Sequence, residues 1–179
     1  MYVLASKLIG LPVLSLQSAE SLTRVTALML NPDSLAVAAF SCTPRDRNQR
    51  HPIIVPRDIR QIAIDCILID AEDVIGEADE VVRLASLVAE PFELRGMRVI
   101  TEMKRTLGRV SDYTINLDTF ALQKIDVQQS IFHSWLGASL MIDRSQIVEI
   151  TKSEIIVREA SVTQSRLATW LSAKPVPKQ

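Results

Sequence analysis

The chain is short of several residue types. Of its 179 residues only five are glycine, two are cysteine, two are histidine and 4% are aromatic. The glycines, Gly10, Gly76, Gly96, Gly108 and Gly137, stand singly, so there is no Gly-rich loop to cradle a phosphate. Few aromatics means few platforms on which bases could stack. Cys42 and Cys66 cannot make a disulfide framework, which suits a reducing, cytoplasmic compartment. Both fall in predicted strands and read as small buried hydrophobes rather than reactive thiols. His51 and His133 have no Cys or His at zinc spacing, so no metal and no cofactor is expected. The formal net charge of −1 and pI of about 6.1 argue against direct nucleic-acid binding and against a polybasic membrane anchor. No apolar run approaches the roughly 20 residues of a transmembrane segment. The densest, residues 35–40, is strand-sized. Residues 8–16, behind Lys7, have the look of a signal peptide, but Pro12 interrupts them and no small-residue cleavage site follows.

What is present is apolar residues in quantity, 47% of the chain against 23% charged. That is enough for one large or two small packed domains. The arrangement of those residues repeats. Residues 22–37 set beside 107–122, an offset of 85, share Leu22/Leu107, Arg24/Arg109, Val25/Val110, Asn31/Asn116, Asp33/Asp118 and Ala36/Ala121. Six identities in sixteen compare with roughly one by chance at average residue usage. Upstream, Leu8, Gly10 and Val13 meet Leu94, Gly96 and Val99. Downstream, Ile59, Ile62 and Ile67 meet Ile147, Ile150 and Ile155. The chain therefore reads as two copies of one unit of about 85 residues. The apolar stretch 8–14 then has a twin at 94–100, where no signal peptide can sit, and both read as the first strand of a unit.

Within each unit the pattern is mainly β. Tyr113, Ile115 and Leu117 alternate with polar residues, the mark of a half-buried strand. The turn Asn31-Pro32-Asp33-Ser34 carries proline at a position that suits its restricted φ, so residues 25–31 and 35–40 form a predicted hairpin. Short apolar strands follow at 53–55, 59–64 and 66–69, with counterparts at 140–142, 147–150 and 155–157. So many short strands in so little chain suggest a small barrel, which removes exposed edges. Each unit ends in a predicted helix. Val81, Leu84, Ala85 and Val88 have helical spacing, as do Leu167, Trp170 and Leu171 after a capping pair, Ser161 and Gln164. These stripes pack on their own barrels in the favoured reading and dock a partner in the other. Pro91 marks a boundary, giving domains 1–90 and 91–173 and a disordered tail 174–179.

A Gly-x-x-Val start, a Leu-x-Arg-Val strand, an Asn-x-Asp turn and an Ile-x-x-Ile strand running into Ile-Ile-Val together resemble the PRC-barrel domain. That domain is shared by the cytoplasmic part of the photosynthetic reaction-centre H subunit and the C-terminal domain of the ribosome maturation factor. The closest piece is Gly108-Arg109-Val110-Ser111-Asp112, and the first unit departs from it with Thr23 and Ala27 at the places of Gly108 and Asp112. The resemblance implies two tandem small β-barrels, each followed by a short helix, that dock on proteins or ribonucleoprotein. It brings no catalytic residue. No nucleophile with a base and an orienting group stands out in the sequence either, and the expectation is not an enzyme.

Two charge clusters and one divergence remain. Arg45, Arg47, Arg50 and His51 fall in one loop, with Arg57 and Arg60 soon after. They form either a solvated loop or a docking patch for carboxylates or phosphates. Asp65, Asp70, Glu72, Asp73, Glu77, Asp79 and Glu80 make an acidic run that lacks calcium-loop order and fits the N-terminal end of a helix. Where the first unit has its basic loop, the second has Ile131, Phe132, His133, Ser134, Trp135 and Leu136, either a contact site or a core strand. Arg45, Arg47, Arg50, Phe132, His133 and Trp135 are thus the candidate partner-binding residues. The expected role is an adaptor or assembly factor with a protein partner or a second copy, peripheral to a membrane-associated complex through that partner. The alternative is a ribosome maturation factor docking on a ribosomal protein.

Overall fold

A computed structural model describes residues 1–47, 49–78, 82–89, 91–129 and 139–159. The protein is mainly β, with a sheet that curls as a half barrel. It divides into two compact units, Met1–Glu93 with Tyr113–Gln123, and Leu94–Asp112 with Lys124–Gln179.

The first unit runs β1 (Tyr2–Leu4), α1 (Ala5–Leu8), β2 (Pro12–Ser15), β3 (Ser21–Leu30), β4 (Val37–Cys42), β5 (Pro52–Ile54), β6 (Ile59–Ile62), β7 (Ile67–Ile69), β8 (Gly76–Glu77) and α2 (Val82–Ala89). Its main sheet has the order β6-β7-β2-β3-β4-β5-β8. All neighbours are antiparallel except β2 and β7, which pair in parallel through Val13↔Ile67, Leu14↔Leu68 and Ser15↔Ile69. Both faces of the sheet bury apolar residues: Leu22, Val25, Leu28 and Leu30 of β3 and Val37, Ala39 and Phe40 of β4 are buried, and the consecutive Ala39 and Phe40 point to opposite faces. α2 lays Leu84 against Ala39, Ile53 and Ala78, with Leu87 and Val88 packed around them. The stripe read from sequence at Leu84 and Val88 therefore faces its own sheet. The second predicted helix and the tail 174–179 lie outside the described residues.

The other strands are β9 (Arg98–Thr101), β10 (Thr106–Asn116), β11 (Leu122–Gln128), β12 (Ser139–Asp143), β13 (Ile147–Ile150) and β14 (Glu154–Val157). Their order, β12-β11-β10-β9-β14-β13, matches that of β5-β4-β3-β2-β7-β6 strand for strand. β9 and β14 again pair in parallel, with Val99 opposite Ile155. The repeat extends to single hydrogen bonds. The Gly10 amide donates to the Val25 carbonyl and the Gly96 amide to the Val110 carbonyl, both at 2.8 Å. Arg24 donates from Nη1 to the Gly10 carbonyl at 3.1 Å, and Arg109 to the Gly96 carbonyl at 2.7 Å. This explains why an exposed arginine recurs in a strand: its guanidinium pins the turn before the preceding strand.

Those turns also correct the sequence reading. Residues 8–14 and 94–100 are not unbroken strands, because Gly10 and Gly96 have φ of +89° and +79° and break the extended run. β2 and β9 begin only afterwards, at Pro12 and Arg98. Cys66 lies in the tight turn before β7, where its carbonyl accepts from the Ala63 amide at 2.9 Å, and it is half-buried rather than core. Cys42 is buried in β4, as expected. Strand β1 had no signature in the sequence; it pairs with Thr114, Ile115 and Asn116 of β10.

The tips of the two long hairpins meet within the first unit. Ala36 bridges Ala121, the Val37 amide donates to the Phe120 carbonyl at 2.8 Å, and the Leu122 amide donates to the Leu35 carbonyl at 2.9 Å. Every partner is 85 residues away from its own equivalent, so the contact has a local two-fold symmetry. Leu35 and Phe120 both hold positive φ, +55° and +54°, a conformation that disfavours bulky side chains. Ala36 and Ala121 sit opposite each other between the two hydrogen bonds, where Cα atoms approach most closely in an antiparallel pair. The double variant Ala36→Cys, Ala121→Cys is therefore expected to form an intrachain disulfide on mild oxidation. Non-reducing electrophoresis showing only free thiols would contradict the bridge.

A second expectation comes from glycine. A Cβ on Gly108, at φ +149°, would lie 2.1 Å from the Gln128 carbonyl oxygen, whereas nothing stands within 4 Å of one on Gly96. Gly96→Val should cost about 1–3 kcal/mol from backbone strain alone. Gly108→Ala adds a backbone clash and should cost more, about 3 kcal/mol or above. Thermal melts of the two variants check the ranking.

Candidate functional site

The basic loop and the acidic run were separate features in the sequence. The fold brings them together in the first unit. Arg45 forms an ion pair with Glu72. Arg60 makes a forked pair with Asp70, at 3.0 and 3.1 Å. Arg57 lies 3.7 Å from Asp58. Glu77 of β8 turns one carboxylate oxygen on the loop, accepting from the Arg50 and His51 amides at 3.3 and 2.8 Å. The loop is laced internally as well, with the Arg45 amide donating to Gln49 Oε1 at 2.8 Å and the Gln49 amide to Asp46 Oδ1 at 3.1 Å. Of the acidic run, Glu72 and Glu77 hold the loop and Asp70 holds Arg60, while Asp79 and Glu80, expected at a helix N-terminus, lie outside the described residues. Each of these exposed pairs is worth roughly 0–1 kcal/mol, so they contribute little to the stability of the fold. Arg47 is exposed and has no ion-pair partner among the described residues. Phe132, His133 and Trp135 lie outside the described residues.

Beside the loop an open cleft of about 350 Å³ is lined by residues 21–24 and 43–45. Arg24 of β3 and Arg45 of the loop are among the residues that line it. Arg24 was not singled out as a site residue in the sequence, though its identity with Arg109 was the available signal. The Thr23 hydroxyl donates to the Thr43 carbonyl at 2.6 Å across the cleft floor. In the second unit the corresponding pair is Gly108 and Gln128, where the backbones press together instead.

The remaining polar clusters are smaller. In the second unit Arg95 pairs with Asp112 at 3.1 Å. Burial, and then the charge of Asp112, pushes the Asp126 carboxyl above the usual range. Burial pushes the Cys42 thiol up to about 12. Cys66 is also raised, by desolvation and then by Asp65 beside it. Both thiols stay protonated at neutral pH, so neither offers a thiolate nucleophile. Among the described residues no group of three or more His, Cys, Asp or Glu converges to hold a metal ion, and no helix is long and apolar enough to cross a membrane. No family model matches the chain, and no curated protein matches it.

Asp143 closes the loop between β12 and β13 with a capping box. Its carboxylate accepts from the Ser145 amide at 3.0 Å, and Gln146 Oε1 accepts from the Asp143 amide at 3.1 Å. The Ser145 amide and hydroxyl, both donating to the carboxylate, favour the ionised form and hold the carboxyl below the usual carboxylate range. A depressed carboxyl contributes stability above its unfolded pKa and loses it as pH falls through the folded value. Asp143→Ala should therefore cost about 1 kcal/mol at neutral pH. The gap from the parent protein should narrow as acid protonates this carboxyl, as followed by denaturant melts at several pH values.

Proposed function

We propose that the chain is a tandem pair of PRC-barrel-like domains, each followed by a short helix, and that it acts as a non-catalytic adaptor or assembly factor. Its contacts are protein–protein, within a photosynthetic or other membrane-associated complex that it reaches through a partner. One observation carries most of this reading. Six strands of each copy have the same order, with β2 and β7, and β9 and β14, paired in parallel and the glycine turn pinned by an arginine. The PRC-barrel resemblance of the sequence joins that observation to docking as a function. The cleft and the Arg47 guanidinium supply a polar surface on the first unit.

The experiment is cross-linked affinity purification of the full chain from its native organism, followed by binding kinetics with the protein recovered. A discrete protein partner is expected. Reversing Arg45 and Arg47 to Glu should slow association with it, and the effect should fade at high salt. Trp135→Ala should weaken the same association by about 2 kcal/mol or more while leaving the melting temperature unchanged. Recovery of RNA whose affinity falls steeply with salt would overturn the protein-docking reading in favour of direct RNA contact.

A further inference from the structure

We infer that the second unit carries a pH-sensitive contact between β10 and β11: in mild acid Asp126 takes up a proton while Asp112 stays ionised on Arg95, and the unit is more stable for it. The contact acts on the chain itself and needs no partner, so it stands apart from the adaptor role. Three observations carry it.

First, the two carboxylates are neighbours. β10 and β11 are adjacent strands, and the Ser111 hydroxyl of one donates to the Asp126 carbonyl of the other at 3.1 Å. In the first copy the equivalents of Asp112 and Asp126 are Ala27 and Ser41, and these lie directly opposite each other. Like charges in that position destabilise a sheet. Neither carboxylate has full access to water to soften the repulsion: the Asp112 side chain is 17% exposed and Asp126 is half-buried.

Second, the surrounding charges favour the ionised form of only one of the two. Arg95, before β9, donates from Nη2 to Asp112 Oδ1 at 3.1 Å. On its own strand Asp126 has Lys124 two residues away, and Lys124 lies opposite Asp143 of β12, a competing carboxylate. Directly opposite Asp126 on β12 is Met141, which carries no charge. The charged groups around Asp126 among the described residues are therefore Asp112, Arg95, Lys124 and Asp143. Burial and the charge of Asp112 both push the Asp126 carboxyl up, and Lys124 opposes them less.

Third, the scaffold does not require these charges. The places of Arg95, Asp112, Lys124 and Asp126 are taken in the first copy by Ile9, Ala27, Ala39 and Ser41, all uncharged, and that copy has the same strand order. Ala39 there packs with Leu84 of α2. The charged set is thus a feature of the second copy alone, placed on strands that fold equally well without it.

A carboxyl raised in the folded state contributes stability that is present below its unfolded pKa and is lost as pH rises through the folded value. Asp126 therefore works in the opposite sense to Asp143, whose carboxyl the fold holds down. When Asp126 is neutral the repulsion across the strands is gone, and the Arg95–Asp112 pair is left intact.

The test is a carbon-detected NMR titration of the aspartate carboxyls in the full chain, joined to thermal melts across the same pH range. Asp126 is expected to titrate at higher pH than Asp143. Asp112→Asn should move the Asp126 midpoint down, because it removes the opposing charge and frees Arg95. Asp126→Asn should melt above the parent at about pH 7.5, with the gap closing toward about pH 4. An Asp126 midpoint at or below that of Asp143 would overturn the inference, and so would a midpoint that Asp112→Asn leaves unmoved. Melting of Asp126→Asn below the parent at neutral pH would overturn it as well, since the ionised carboxylate would then be stabilising. None of these outcomes bears on whether a protein partner is captured, so the adaptor reading stands or falls separately.

Discussion

Of the six strands that the two copies share, the first lies parallel to the last in each, and the antiparallel hairpins between them depend on that pairing. Val13 opposite Ile67 and Val99 opposite Ile155 are all fully buried, and they join residues more than fifty positions apart. A parallel pair cannot be closed by a tight turn, so the whole intervening chain must serve as the crossover. Here it does so as a series of antiparallel strands rather than as a helix. The pairing also dictates where the glycines go. The chain must turn sharply just before the first strand to bring a valine carbonyl of the second within reach of the glycine amide. Only a residue tolerant of positive φ does this without strain. The arginine one position before that valine then satisfies the glycine carbonyl, so turn, strand and guanidinium form one unit of structure.

That logic explains which parts of the fold were legible in the sequence. The hairpins were, because alternation and the Asn-x-Asp turns are local signals; Asn31 Oδ1 accepts from the Asp33 and Ser34 amides, and Asn116 Oδ1 from the Asp118 amide. The glycine turns were legible as positions shared by the repeat, but their interruption of the strands was not, since apolar residues run on through them. β1 was illegible because three residues carry no period. The ion pairs of the basic loop were hidden for another reason. Arg45 meets Glu72 across twenty-seven positions, and nothing in either charge run names its partner. Of the candidate site, Arg45 and Arg47 were readable as an unusual local density of guanidiniums. Arg24 was readable only as an identity between copies, which on its face marks structure rather than binding.

The hairpin tips show a local preference overruled. Leu35 and Phe120 occupy a backbone region that costs a bulky L-residue about 1–2 kcal/mol, where glycine or asparagine would sit comfortably. What glycine cannot supply is the side chain. Phe120 sets its ring edge-on to Phe40, centroids 6.0 Å apart, and Leu35 is buried. Such an aromatic pair contributes about 0.5–1.5 kcal/mol, and burial of a leucine about 1.5–3 kcal/mol. The packing outweighs the strain at Leu35 and roughly balances it at Phe120, where the backbone hydrogen bond from the Val37 amide adds to the packing. Both tips make the same exchange because a two-fold contact imposes the same conditions on each side.

The same comparison of copies separates scaffold from surface. Positions whose chemistry is repeated, Gly10 and Gly96, Arg24 and Arg109, Asn31 and Asn116, are those whose hydrogen bonds recur with nearly the same lengths. Positions that differ fall where the packing problem has two solutions. At Thr23 a hydroxyl spans the gap to the Thr43 carbonyl; at Gly108 the absence of a side chain lets the facing carbonyl close in. Either satisfies the sheet, so the fold itself does not choose between them. They differ in what they leave outside: beside Thr23 and Thr43 a cleft stays open, and at Gly108 the facing carbonyl comes in. Arg45, in the adjoining loop, lines that cleft and pairs with Glu72 without disturbing any bond of the scaffold. The cleft thus lies where the structural requirements shared by the two copies leave the residues free to differ.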